Sequence, residues 1–276
     1  MSSHGLGFLA SLSRPALVGM IHVHALPGTP RSQKKIREII EQALRETRVL
    51  ITGGVDAIIL ENMHDLPYMN RKVGPEIVST MTAVCSAVRQ ATEVPLGVQV
   101  LAGANHEAIA VALAADMQFV RCEGFVFSHV ADEGLMGESD AGPLLRYRRM
   151  IGAEHVAVIA DIKKKHSSHA ITSDVSLAEM AKAAAFAGAE GVVVTGTATG
   201  EPTSPADVEA VAEAIDEPIF VGSGVTPEQI PALAKHADAL IVGSYIKKDG
   251  HWANEPDAAR IQSLVTVLHA STRPAR

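Results

Sequence analysis

Eight short apolar runs, rich in β-branched residues, recur along the chain, each separated from the next by one helix-patterned stretch. Strands that are almost wholly apolar and lie one helix apart must run parallel and be covered on both faces. The runs begin near Leu17, Val55, Pro95, Gln118, His155, Gly191, Ile219 and Ala239. Eight of them favour an α/β fold of the closed (β/α)8 barrel type over an open doubly wound sheet, although periodicity alone does not reveal closure. The total of 276 residues suits one barrel domain, with residues 1–16 as a short N-terminal extension.

The intervening stretches carry helical signals. Ile36, Ile39, Ile40, Ala43, Leu44 and Leu50 repeat at 3.6-residue spacing before Gly53 and Gly54 end the helix. Ile77, Met81, Val84, Cys85 and Val88 form a second stripe. Further helices are expected over 105–115, 141–151 and 175–188. Ser204-Pro205-Ala206-Asp207 is a helix-start pattern, with a capping serine and proline at the first helical position, and Thr226-Pro227-Glu228-Gln229 repeats it. The last helix is expected from Pro256 to His269.

A net charge of −7 and a pI near 5.9 exclude nonspecific binding to nucleic acid or anionic lipid, because both require a basic surface. A small-molecule ligand is the expected partner. No apolar run approaches the roughly 20 residues that span a bilayer. The opening MSSHGLGFLASLSRPA lacks the basic start and apolar stretch of a secretory signal, so a cytoplasmic protein is expected, with a short organelle-targeting role left open. Cys85 and Cys122 have no cysteine or histidine at metal-ligand spacing, and their apolar surroundings predict buried thiols.

In a barrel of this kind the chemistry sits at the C-terminal strand ends. The seventh and eighth runs close on Gly222-Ser223-Gly224 and Gly243-Ser244, small residues that let backbone N–H groups approach a phosphate. The other strand ends bring His22 and His24, Glu61 and Asn62, Gln99, Arg121 and Glu123, then Asp161, Lys163, Lys165 and His166. Alternation places His22 with His24, Arg121 with Glu123, and Asp161 with Lys163 on common faces. Asp161 and Glu61 are candidate bases or metal ligands, and Lys165 and His166 candidate acids or electrostatic stabilisers. A Mg2+ ion held by Glu61, Glu123 or Asp161 together with a substrate phosphate fits the residue types. His22-Val23-His24 resembles the metal pair of amidohydrolase barrels, but the sixth and eighth strand ends, Thr195-Gly196 and Gly243-Ser244, lack the further ligands of that class. The loop from Gly124 to Gly142, with Asp132, Glu133 and Gly134, is long enough to serve as a lid with glycine hinges, or to pack on a second subunit of a homo-oligomer.

GMIHVHALPGTP (Gly19 to Pro30), GVDAIILEN (Gly54 to Asn62), ADEGLMGESDAGPLLRYRR (Ala131 to Arg149), ADIKKKHSSH (Ala160 to His169) and TGTATGEPTS (Thr195 to Ser204) together resemble the BtpA/SgcQ family, from about Leu17 to Leu268. The resemblance implies a TIM-like phosphate-binding barrel. It also implies weight for His22, Pro27, Gly28, Glu61, Asn62, Asp132, Gly134, Arg146, Arg148, Asp161, Lys165, His166 and Thr195 to Gly200, with Lys165 more characteristic than Lys163. The family is named for a member implicated in photosystem I assembly, while other members look like enzymes of sugar metabolism.

Two readings result. The first is an enzyme that acts on a small phosphorylated metabolite, derived from a sugar or nucleoside, by acid-base chemistry as a lyase, isomerase or hydrolase. A Schiff-base aldolase using Lys163 or Lys165 is its narrower form. The second is a noncatalytic assembly or stability factor for a membrane complex such as photosystem I. On the first reading, Asp161→Asn and Glu61→Gln are expected to lose function while melting near the parent temperature.

Overall fold

The computed structural model describes residues 4–196, 202–222 and 224–271. In chain order its strands are β1 (Ala16–His22), β2 (Ala57–Glu61), β3 (Leu96–Gln99), β4 (Phe119–Cys122), β5 (His129–Ala131), β6 (Gly134–Met136), β7 (Ala157–Ile162), β8 (Ser167–Ser168), β9 (Gly191–Val194), β10 (Ile219–Val221) and β11 (Ala239–Val242). Eight of them close into a parallel barrel, β1-β2-β3-β4-β7-β9-β10-β11, and β11 pairs back with β1. The helices are α1 (Ile36–Gly53), α2 (Pro75–Ala91), α3 (Asn105–Ala114), α4 (Ala141–Met150), α5 (Leu177–Phe186), α6 (Pro205–Ala212), α7 (Ile230–Leu233) and α8 (Ala258–His269).

Two apolar layers follow from strand alternation. One set of side chains packs outward against the helices, including Leu60, Val98, Val120 and Val158 with Ile39, Val84, Ile109 and Leu264. The other set fills the barrel with Val18, Met20, Ile59, Phe119, Ile159, Val193, Phe220 and Ile241. Leu6 and Leu9, from a 3-10 helix over His4–Ser11, join this inner layer, and Phe8 stacks on Phe119 at 6.2 Å. The N-terminal segment therefore closes the floor of the barrel.

Phe119 reaches across to β3, where the chain carries no side chain. A Cβ on Gly97 would lie 2.1 Å from the Phe119 ring. Gly97→Val is expected to cost about 1–3 kcal/mol by overpacking, read as a lower midpoint in chemical denaturation. An unchanged midpoint would mean that Phe119 is free to swing away.

Several local expectations are corrected. The loop over 124–142 is structured: β5 and β6 form an antiparallel hairpin, and β5 also pairs with β8 from the loop after β7. Only Gly124 and Gly134, of its four glycines, have left-handed φ, at 63° and 102°. The Thr226 to Gln229 pattern folds as a turn, in which the Gln229 side chain accepts from the Thr226 N–H at 3.1 Å, and α7 has only four residues. Ser204 is the N-cap of α6 and Pro205 its first residue, as expected, although the serine side chain makes no cap bond; Ser176 and Glu179 form a full capping box on α5. Among the described residues no helix is long and apolar enough to cross a membrane.

Candidate active site

The inner columns of the barrel change from apolar to polar at their upper ends. Met20 is followed two residues on by His22, Ile59 by Glu61, Gly97 by Gln99, Phe119 by Arg121, Ile159 by Asp161 and Ile241 by Gly243. Period-two alternation delivers all of these to one mouth. Register confirms the convergence, with His22 opposite Glu61 and Glu61 opposite Gln99.

Two adjoining cavities occupy that mouth. The deeper is lined by Met20, His22, Glu61, Met63, Arg121, Lys165, Gly222, Gly224, Ile241, Gly243 and Ser244. The wider holds about 290 Å³ and is lined by Glu61, Met63, Leu66, Tyr68, Gln99, Leu101, Arg121, Glu123, Asp132, Glu133, Lys164, Lys165, His166 and Trp252. Glu61, Met63, Arg121 and Lys165 border both.

Most of the charge at the mouth is internally neutralised. Arg121 donates a bidentate pair to Asp161, Nε to Oδ1 at 2.8 Å and Nη2 to Oδ2 at 2.9 Å. Burial works against the Arg121 charge, but Asp161, Glu61 and Glu123 outweigh it and hold its pKa above the ordinary value. Lys164 Nζ lies 3.1 Å from Glu123 Oε2 and 3.5 Å from Glu133 Oε2 at the hairpin tip. These carboxylates overcome the effect of burial and raise the Lys164 pKa. Burial raises the pKa of Glu123 in spite of Lys164.

Glu61 and Lys165 are treated differently. Burial raises the Glu61 pKa more than Arg121 and Lys165 lower it. Burial lowers the Lys165 pKa, and Arg121 adds to that shift. His22 Nδ1–H donates to the Trp252 carbonyl at 2.7 Å, and its Nε2 stands 3.8 Å from Glu61 Oε2. Burial, reinforced by Lys247, pushes its pKa well below the usual imidazole value, so His22 is neutral at neutral pH. A neutral imidazole, a carboxyl with a raised pKa and an amine with a lowered one suit proton transfer near neutrality.

The small residues ending β10 and β11 face this group. A Cβ on Gly243 would lie 3.1 Å from His22 Nε2, so the glycine allows the imidazole to lie against the backbone. Gly224 has φ 66°, which turns the chain at the cavity. Gly222 lines the cavity, but its N–H donates to the Val194 carbonyl at 3.0 Å and is committed to the barrel. Ser223 and residues 197–200 lie outside the described residues.

Other sequence candidates fall elsewhere. Asn62 is buried and lines neither cavity: its Nδ2 donates to Asp65 at 2.8 Å and its Oδ1 accepts from the Leu101 N–H at 2.7 Å. It ties together the loops after β2 and β3. His24 lines a side groove beside His64, at a ring distance of 5.1 Å, and shares a second groove with His22, outside the two cavities at the mouth. Lys163, at φ 47°, lines neither cavity. Arg148 bonds Glu190 at 2.8 Å, and Arg146 is exposed. Asp132, Glu133 and His166 border the wider cavity, Asp132 and Glu133 forming the hairpin turn, and Gly134 opens β6 directly after it.

The carboxylates proposed for a cation do not make a ligand set. Asp161 is taken by Arg121, Glu123 is taken by Lys164, and no group of three His, Cys, Asp or Glu side chains suited to a metal forms among the described residues.

Sequence reasoning missed Lys164, Tyr68, Met63 and Trp252. Trp252 had one signal, as the sole tryptophan of the chain in an otherwise polar loop. Gln99 was seen at a strand end, but not that its buried Oε1 lacks a hydrogen-bond partner, leaving it to accept from a ligand.

Because Glu61 has a raised pKa in the fold, its ionisation opposes folding above the unfolded-state pKa, and this penalty fades as pH falls. Glu61→Gln is therefore expected to melt at or above the parent temperature near pH 8, with the difference gone by about pH 4. Thermal melts at both pH values check this. A clearly lower melting temperature near pH 8 would assign Glu61 a stabilising role.

Comparison with known proteins agrees with this architecture. The sequence profile of the BtpA family matches residues 13–270. An uncharacterized Caenorhabditis elegans protein named as mitochondrial, F13E9.13, is 45% identical over 270 residues, covering 96% of this chain and 97% of that protein. The photosystem I biogenesis protein BtpA of Synechocystis is 32% identical, covering 91% and 87%. Among solved structures, thiamine phosphate pyrophosphorylase from Pyrococcus furiosus superposes with a TM-score of 0.58 at 14% identity, covering 93% of this chain and 96% of that one.

Proposed function

Since the chain belongs to the BtpA family, we propose that it is a barrel enzyme acting by acid-base chemistry on a small phosphorylated metabolite. The observation that carries this reading is one cavity lined by Gly224, Gly243 and Ser244 together with His22, Glu61 and Lys165. Small residues at the last two strand ends admit a phosphate to the backbone. Arg121, which borders the same cavity, supplies a cation for it, and Glu61 and His22 handle protons at the adjoining carbon skeleton. That skeleton extends into the wider cavity, where Gln99 accepts a hydrogen bond and Trp252 and Tyr68 offer ring surface. The β5–β6 hairpin, through Asp132 and Glu133, covers it.

The likeness to thiamine phosphate pyrophosphorylase supports the fold alone. The Synechocystis relative's name favours the assembly-factor reading, but such a role does not call for an acid, a base and an amine gathered in one cavity.

Titration calorimetry with ribose 5-phosphate and with ribose tests the proposal. The phosphate ester is expected to bind at least about 100-fold more tightly, since hydrogen bonds to a charged group contribute about 1.5–3 kcal/mol each. Inorganic phosphate should compete with it. Equal affinity for the two sugars, or binding of neither, would count against the reading.

A further inference from the structure

Lys164 and Lys165 are neighbours in sequence with opposite surroundings. Lys164 is held between Glu123 and Glu133. Lys165, among the described residues, makes no ion pair or side-chain hydrogen bond and borders both cavities at their junction. Lys247, a fully buried lysine, is bonded to Glu46 outside either cavity. Lys163 borders neither.

We propose that Lys165 is a nucleophile that forms an imine with the carbonyl carbon of a phosphorylated aldehyde or ketone. This rests on the phosphate reading above and narrows its substrate class. Lys165 is half-buried, and a lysine partly withdrawn from water is normally matched by a carboxylate, because an unpaired ammonium is costly to desolvate. Without one, the amine loses its proton more readily and becomes nucleophilic, and the lowered pKa agrees. Glu61 borders both cavities beside it and supplies the proton that the reaction needs.

The neutral Lys165 Nζ attacks the carbonyl carbon, and one amine proton passes to the oxygen to give a carbinolamine. Glu61 in its acid form protonates that hydroxyl, water leaves, and the nitrogen lone pair forms the C=N bond of an iminium. Glu61 is left as a carboxylate. It can then take a proton from the adjacent carbon, giving an enamine, or from a hydroxyl on the next carbon, in which case that C–O becomes C=O, the bond between the two carbons breaks and its electron pair passes to the iminium.

The test is reductive trapping of the full chain with borohydride, using dihydroxyacetone phosphate and glyceraldehyde 3-phosphate as probes, followed by intact mass and peptide mapping. At least one probe is expected to leave a single reduced adduct on Lys165, at least about ten-fold above that from unphosphorylated dihydroxyacetone. Lys165→Arg cannot form an imine and is expected to give no adduct. Lys163→Met should be trapped as the parent is. Phosphate binding without trapping of either probe, an adduct on a different lysine, or an adduct surviving in Lys165→Arg would overturn the imine while leaving the phosphate reading intact. Trapping at Lys165 without binding of inorganic phosphate would uphold the imine and remove the phosphate reading.

Discussion

Asp161→Asn is expected to melt roughly 6–20 °C below the parent, from a loss of about 3–5 kcal/mol. The Asp161 side chain is 1% exposed and that of Arg121 6%, and the two are joined by a bidentate pair. Removing one charge strands the other in a site with little water, and the cost is the desolvation of an unmatched guanidinium. Hydrogen bonds from the amide do not replace that charge. Removing both, as in Arg121→Met with Asp161→Leu, should restore much of the stability, while losing the cation that borders both cavities. Differential scanning calorimetry of the single and double variants decides the matter. A single variant melting within about 2 °C of the parent would mean that Glu61 or Glu123 takes over as the partner of Arg121.

From the sequence alone, Asp161 and Glu61 carried the same expectation of lost function with stability spared. The structure separates them. Glu61 has no cation within bonding distance, whereas Asp161 anchors Arg121. Strand alternation placed Arg121 and Asp161 at the mouth, but the side-chain torsions that aim one at the other are not written in a two-residue period. The lysine run 163–165 illustrates the same limit. All three follow β7 directly, yet the left-handed φ of Lys163 ends the strand geometry, and pairing of β8 with β5 then decides where Lys164 and Lys165 point.

The barrel was far more legible than its mouth. Apolar runs and helix stripes are local signals repeated eight times, so one faint signal, such as the four-residue α7, does not alter the architecture. The hairpin over 129–136 was missed because its strands are three residues each and its turn, Asp132-Glu133, precedes the glycine instead of containing it. Nor was the role of the N-terminal segment visible in GLGFLASL. Leu6 and Leu9 look like an ordinary amphipathic turn until the open floor of a barrel is there to receive them.

The central claim is that Gly224 and Ser244 border a phosphate site. A carboxylate introduced there would stand about 4 Å from the phosphate, and like charges at that distance repel by about 4 kcal/mol near a protein surface, roughly a 1,000-fold loss of affinity. The decisive measurement is the affinity of ribose 5-phosphate for the parent, Gly224→Asp and Ser244→Asp, with melting temperatures recorded to show that each variant is folded. Folded variants that have lost binding by about that factor are the predicted result. Folded variants that bind ribose 5-phosphate as tightly as the parent would contradict the account and move the anion site away from the ends of β10 and β11.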